Sequence, residues 1–282
     1  MKTILSPAAM QAESLAWRRE GRRIGLAPTM GFLHEGHLSL VDRARERADV
    51  VAVSIFVNAL QFGLGEDYDT YPRDAERDLA LCARRGVDVV FMPSQADLYA
   101  SGHSVYVEET DLSAGLCGLS RPGHFRGVTT VVAKLFHLVL PDVAVFGLKD
   151  AQQARIIERM VRDLNFPTEI VIAPIVREPD GLAMSSRNTR LSTEDRARAV
   201  CLYRSLCLAE RLYAEGITEA GRIRREMRET LRAAQADTDY VATVDYRSLH
   251  PVEEIRDETL VAVAARVGGV RLIDNTVIGG AA

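Results

Sequence analysis

Two rhythms of apolar residues alternate along the first 175 positions. Residues 50–57 are apolar everywhere except at Ser54, the pattern of a strand buried on both faces. Shorter apolar runs at 23–27, 87–92, 143–146 and 169–173 predict further strands. Between them the apolar positions take helical spacing, as at Leu38, Leu40, Val41, Ala44 and Ala48. Helices are predicted over 7–20, from the turn at 34–37 to 47, and over 74–85, 128–140 and 151–164. Ser6 and Pro7 read as an N-cap and a first helical residue, and Gly21 and Gly86 as terminators. A short extra strand is predicted at 105–107. Strands alternating with helices in this order predict an α/β protein with a doubly wound parallel sheet. After Pro174 the rhythm changes. Ser192-Thr193-Glu194-Asp195 resembles a capping box and opens a helix through Val200, Leu202, Leu206 and Leu212 to Gly216. A second helix over 218–234 and strands near 240–246, 260–264 and 271–274 predict a smaller α+β domain. The expected domains are 1–176 and 177–282.

Composition narrows the class of partner. The 282 residues are 47% hydrophobic and 26% charged, enough apolar material for a real core. A net charge of -4 without a basic block argues against nucleic acid as a main partner. No apolar stretch reaches membrane-spanning length, and residues 1–7 lack the apolar core of a signal peptide. Cys82, Cys117, Cys201 and Cys207 form no C-x-x-C and read as small apolar residues in a reducing compartment, so the cytoplasm is expected.

The candidate chemistry starts at His34-Glu35-Gly36-His37, between the strand at 23–27 and a helix. A helix start offers unpaired N–H groups and partial positive charge, which suit phosphate. Two imidazoles there can donate to phosphate oxygens and follow the charge that develops when an α-phosphate is attacked. The alternatives are a metal pair or a plain surface turn, although no carboxylate or cysteine stands at ligand spacing. Met184-Ser185-Ser186-Arg187-Asn188 offers two hydroxyls and a guanidinium to β- and γ-phosphates, or is a solvated loop. Gly147-Leu148-Lys149-Asp150 ends a strand and opens a helix: Lys149 can meet phosphate, and Asp150 can bind ribose or simply cap. Gln61 and Gln153 follow strand ends and can orient a small hydroxy acid, though either could be a surface residue. Arg121 and His124 can serve anions or cap the following helix.

These clusters stand with Phe56-Val57-Asn58, Tyr71-Pro72-Arg73, Arg121-Pro122-Gly123-His124-Phe125 and Arg271-Leu272-Ile273-Asp274-Asn275, in order from residue 28 to residue 275. As a set they closely resemble the pantoate–β-alanine ligase family. The resemblance implies a Rossmann-like N-terminal domain, a smaller C-terminal lid and a homodimer. It implies two steps: ATP and pantoate give pantoyl adenylate and pyrophosphate, and β-alanine then discharges the adenylate to pantothenate and AMP. Mg²⁺ rides on the ATP phosphates, and no metal-binding residues of the protein are expected. By matching motif, Met30, Gly31, His34, Gly36 and His37 line ATP, with His37 on the α-phosphate. Gly147, Lys149, Asp150, Val176, Met184, Ser185, Ser186 and Arg187 complete the ATP site. Asn58, Gln61, Arg121 and Gln153 fall to pantoate. Catalytic roles are expected of His34, His37, Lys149, Ser185, Ser186 and Arg187. A plain nucleotidyltransferase is the rival enzyme class, distinguished by the absence of free AMP. Two positions depart from the family pattern: Ala59 stands where proline is usual, and Leu148 where Glu or Gln is usual.

Overall fold

A computed structural model describes residues 1–280. In chain order the elements are β1 (Lys2–Ile4), α1 (Pro7–Arg19), β2 (Ile24–Thr29), α2 (Glu35–Arg45), β3 (Val50–Ile55), α3 (Ala75–Arg84), β4 (Val89–Phe91), α4 (Gln95–Leu98), α5 (Cys117–Ser120), α6 (His124–Val139), β5 (Val143–Gly147), α7 (Ala151–Asp163) and β6 (Glu169–Ala173). Then follow α8 (Thr193–Ala199), α9 (Cys201–Ala214), α10 (Ala220–Ala233), β7 (Asp237–Asp245), β8 (Thr259–Val267) and β9 (Val270–Ile278). Short 3₁₀ turns cover Ala59–Gln61, Leu148–Asp150 and Ser186–Arg190. No helix among the described residues is long and apolar enough to cross a membrane.

The chain divides into two compact units. The first holds residues 1–110, 121–148 and 153–174; the second holds 111–120, 149–152 and 175 onward. The first unit contains a six-stranded sheet in the order β1-β4-β3-β2-β5-β6, with every pair parallel. From β2 the chain moves to β3 on one side, while β5 returns on the other. β2 is thus the strand at which the winding reverses, and ligands gather at the carboxyl ends of strands at such a point. Its core joins Ala27, Val51, Val53, Val90, Val143 and Val145 from strands to Leu40, Val41 and Ala44 of α2. The second unit closes an antiparallel sheet, β7-β8-β9, against α9 and α10 through Leu202, Leu206, Ile223, Met227, Val261 and Val263.

Local signals set most boundaries. Ser6 Oγ accepts from the Ala9 N–H with Pro7 opening α1, and Asp74 caps α3 at Arg77 N. Ser192 Oγ accepts from Asp195 N at the start of α8, but the helix expected through 216 breaks at Val200 into α8 and α9. No strand forms at 105–107. The Val107 N–H donates instead to Thr130 Oγ1, and its carbonyl accepts from Thr129 Oγ1, so two hydroxyls of α6 do the work of a neighbouring strand. β1, only three residues long, has too little pattern to predict. β8 and β9 run nine residues each, beyond the apolar stretches that suggested them.

Candidate active site

In the first unit the glycine turn after β2 is shaped by a buried carboxylate. Asp78 on α3 is 1% exposed, and its two oxygens accept from the Phe32 and Leu33 N–H groups, both at 2.7 Å. Burial lifts its carboxyl above the ordinary value against the pull of those amides. Gly31 has φ +83°, and a Cβ there would stand 2.9 Å from Ile55 Cγ2 and 3.0 Å from Asp78 Oδ2. Only glycine accommodates both the turn and the contact. Asp78 lies 45 residues beyond Leu33 in the turn it holds, which no local motif announces.

The two histidines begin α2. His34 is the N-cap and His37 the third helical residue, so the helix starts before the second imidazole. Their rings form a reciprocal capping box. His34 Nδ1 accepts from Gly36 N at 3.1 Å, and His37 Nδ1 accepts from His34 N at 3.4 Å. The ring centroids are 4.0 Å apart. A neutral imidazole that accepts at Nδ1 carries its proton on Nε2. Each ring is therefore set with Nε2–H as its donor, beside a helix start.

After β3, Asn58 caps the 3₁₀ turn that carries Gln61. Asn58 is 1% exposed and Gln61 8%. Asn58 Oδ1 accepts from Leu60 N at 3.4 Å and from Tyr99 Oη at 3.0 Å; its Nδ2 donates to Gly127 O at 3.0 Å and to Gln61 Oε1 at 3.2 Å. Gln61 Nε2 faces Met30 Sδ at 2.9 Å. Ala59 begins this turn, a position where proline would fit, and the caps on either side hold it without one. Gly127 lies directly behind. A Cβ on it would be driven into the Leu60 carbonyl and would stand 2.6 Å from Gln61 N.

The Gln61 carbonyl is held as well. Glu66 grips Arg121 with two bonds of 2.7 Å, to Nε and Nη2. Arg121 Nη2 also donates to Gln61 O at 3.3 Å, and Nη1 to His124 Nε2 at 3.0 Å. Because a guanidinium only donates, His124 accepts at Nε2 and donates from Nδ1 to Gln61 O at 2.8 Å. Glu66 thus fills the fork of the arginine expected at pantoate. Gln153 stands in the first turn of α7, half-buried, and Gly147 ends β5.

Burial works against the charge of Glu66, but the bonds and charge of Arg121 outweigh it and hold the carboxyl below its ordinary 4.5. A lowered carboxylate stabilises the fold above the unfolded value and loses that contribution as pH falls through the folded one. Glu66→Gln should therefore melt below wild type near pH 7, and the gap should close as pH drops below about 4.5. Melting curves across that range check it; a gap independent of pH would mean that the charge of Glu66 contributes nothing.

In the second unit, residues 175–190 are stitched down rather than loose. Met184 N donates to Val176 O at 3.0 Å, and Glu178 N to Leu182 O at 2.8 Å. Arg177 pairs with Asp274 on β9 at 2.6 and 3.1 Å. Asp274 is 2% exposed, and burial raises its carboxyl despite that partner. Asn188 Nδ2 donates to Glu178 and to Ala183 O. Ser185 Oγ caps the 3₁₀ turn at Arg187 N, Ser186 is buried, and Arg187 is half-buried. Next to Asp274, Asn275 Nδ2 donates to Lys149 O at 3.0 Å, and Lys149 Nζ lies 3.6 Å from Asp150. The Asp-Asn pair of β9 therefore holds both the loop and the backbone of the lysine. Among the described residues, no group of three or more His, Cys, Asp or Glu side chains converges as a metal site.

The sequence model for Pantoate-beta-alanine ligase matches residues 2–277. The pantothenate synthetase of Thermotoga petrophila is 56% identical over 280 residues, covering 99% of this chain and 100% of its own. That of Heliobacterium modesticaldum is 54% identical over 279 residues, covering 99% of both. A crystal structure of the pantothenate synthetase of Thermus thermophilus superposes with a TM-score of 0.93 at 47% identity, covering 98% of this chain and 99% of that one. The pantoate–β-alanine ligase of Francisella tularensis, solved with β,γ-ATP and β-alanine, gives 0.82 at 33% identity, covering 98% and 97%. With the histidine box, the capped Gln61 turn and the serine-arginine loop all present in a chain matched end to end, this protein belongs to the pantoate–β-alanine ligase family.

Proposed function

We propose that this chain performs the reaction of its family with the residues singled out above, and that the histidine box after β2 carries the first step. ATP and pantoate give pantoyl adenylate and pyrophosphate; the amine of β-alanine then attacks the acyl carbon and expels AMP. A carboxylate is a poor acyl donor because oxide leaves badly, and adenylation supplies a good leaving group. The supporting observation is that both imidazoles take a backbone N–H at Nδ1 at a helix start, which in the neutral rings leaves Nε2–H as the donor. That arrangement stabilises charge growing on the α-phosphate without reorganising. Met30, Gly31 and Gly36 line the same nucleotide. Gly147, Lys149, Asp150, Val176, Met184, Ser185, Ser186 and Arg187 serve the remaining ATP contacts, with Lys149 and Arg187 offsetting phosphate charge. Gln61 and Gln153 orient pantoate, Asn58 holds Gln61, and Arg121 backs the Gln61 carbonyl. Residues 1–176 carry nucleotide and pantoate, and 177–282 serve as the lid.

Mg²⁺ would travel on the ATP phosphates, where one or two carboxylates usually suffice on the protein side. Asp150, with a side chain 46% exposed, suits that part. The Mg²⁺ would add charge compensation to the phosphates. A homodimer working in the cytoplasm completes the reading, in keeping with four cysteines that are all free thiols.

The test is product analysis. ATP with pantoate alone should release pyrophosphate in a burst that stops, because the adenylate stays on the enzyme. Adding β-alanine should start continuous turnover, with AMP and pantothenate in equal amounts. Pyrophosphate release that ignores pantoate, or a nucleotidyl product in place of AMP, would overturn the assignment.

A further inference from the structure

Asn58 lies between backbone groups of fixed hydrogen-bonding sense. The Leu60 N–H can only donate, and it meets Oδ1; the Gly127 carbonyl can only accept, and it meets Nδ2. The amide has one orientation that satisfies both. Tyr99 Oη, 3.0 Å from Oδ1, must then be a donor. Nδ2 in turn donates to Gln61 Oε1, which leaves Nε2 as the other end of the Gln61 amide, resting on the weak acceptor Met30 Sδ. A flipped Gln61 would set two NH₂ groups against each other and a carbonyl oxygen against a thioether.

We propose that Tyr99 is a positioning residue that acts through Asn58 to lock the Gln61 amide with Nε2 outermost, so that this position selects a hydrogen-bond acceptor on the substrate. The inference rests on reading Gln61 as a pantoate residue. A carboxylate oxygen or a hydroxyl lone pair would replace Met30 Sδ as the partner of Nε2. Tyr99 itself is held in place by its ring, against Phe56 at 6.3 Å and His103 at 4.9 Å, with the Lys134 ammonium 5.5 Å from its centre. Burial, with Tyr106 nearby, pushes the phenol well above its ordinary value, so the hydroxyl keeps the proton it donates. Without that hydroxyl, Oδ1 keeps only the longer bond from Leu60, and reversal of the Asn58 amide becomes easier.

A double-mutant cycle decides the matter. Y99F keeps the ring and removes the donor. It should raise the KM for pantoate about two- to tenfold, the scale of one net hydrogen bond, and leave the KM for ATP unchanged. Q61A should raise the pantoate KM on its own, and Y99F should add nothing in the Q61A background. Additive effects, or an equal rise in the KM for ATP, would overturn the role of Tyr99 and leave Gln61 as a pantoate residue. A Q61A variant with unchanged pantoate KM would overturn the reading of Gln61 itself, and the proposal with it. Should Y99F fail to fold, N58D serves in the same cycle. It still accepts from Tyr99 and Leu60 but can donate to neither Gln61 nor the Gly127 carbonyl, and the same two patterns support or overturn the step from Asn58 to Gln61.

Discussion

His37→Ala is expected to slow pantoyl adenylate formation by about 10²–10³-fold, the scale for loss of one preorganised donor to a charge that grows in the transition state. The side chain has two jobs in the structure. Nδ1 accepts from His34 N and closes half of the capping box, and that acceptor places the proton on Nε2. Alanine removes both. The cap accounts for only about 1 kcal/mol of stability, so melting should shift modestly while the rate collapses. Single-turnover release of pyrophosphate from ATP in the presence of pantoate reads the chemical step directly. A near-normal rate in a folded variant would remove His37 from that step.

Gly127→Ala is expected to damage both stability and pantoate use. Its one added carbon meets backbone, the Leu60 carbonyl and the Gln61 amide nitrogen, so no flexible side chain can give way. Overpacking of this kind costs about 1–3 kcal/mol and sometimes more. For a unit of this size each kcal/mol lowers Tm by about 2–4 °C. The strain falls on the turn that carries Gln61, and it also moves the carbonyl that fixes Asn58. The KM for pantoate should therefore rise further than in Y99F. Thermal melting with kinetics against pantoate checks both halves. A variant that melts with the wild type and saturates normally would show that α6 does not support this turn.

The order of strands and helices in the first unit was legible because buried parallel strands leave continuous apolar runs such as 50–57 and helices leave spaced ones. The histidine and glutamine candidates were legible because each follows a strand end or opens a helix, and the serine-arginine candidate because two hydroxyls and a guanidinium stand together in one loop. What escaped acts over long separations. Asp78 supports Phe32 and Leu33 from another helix, Tyr99 supports Asn58, and Asp274 holds Arg177 across 97 residues. Such partners carry no local spacing for a pattern to detect. The strand expected at 105–107 failed for a related reason: its pairing groups were claimed by Thr129 and Thr130, visible only once α6 lies alongside. In sequence Arg121 looks like an anion contact or a helix cap, because nothing near it foretells that Glu66 fills its fork.

The histidine box gives one nitrogen of each ring a double duty. Each ring holds the start of α2 only while its Nδ1 keeps a lone pair for a backbone N–H. A proton added there turns the acceptor into a second donor, facing the amide hydrogen it had been holding. The lone pair that caps the helix is thus the same one whose occupation keeps the proton of the neutral ring on Nε2. Whatever fixes the start of α2 therefore also fixes which nitrogen of each neutral ring carries the proton, so backbone and donor pair are set by one arrangement.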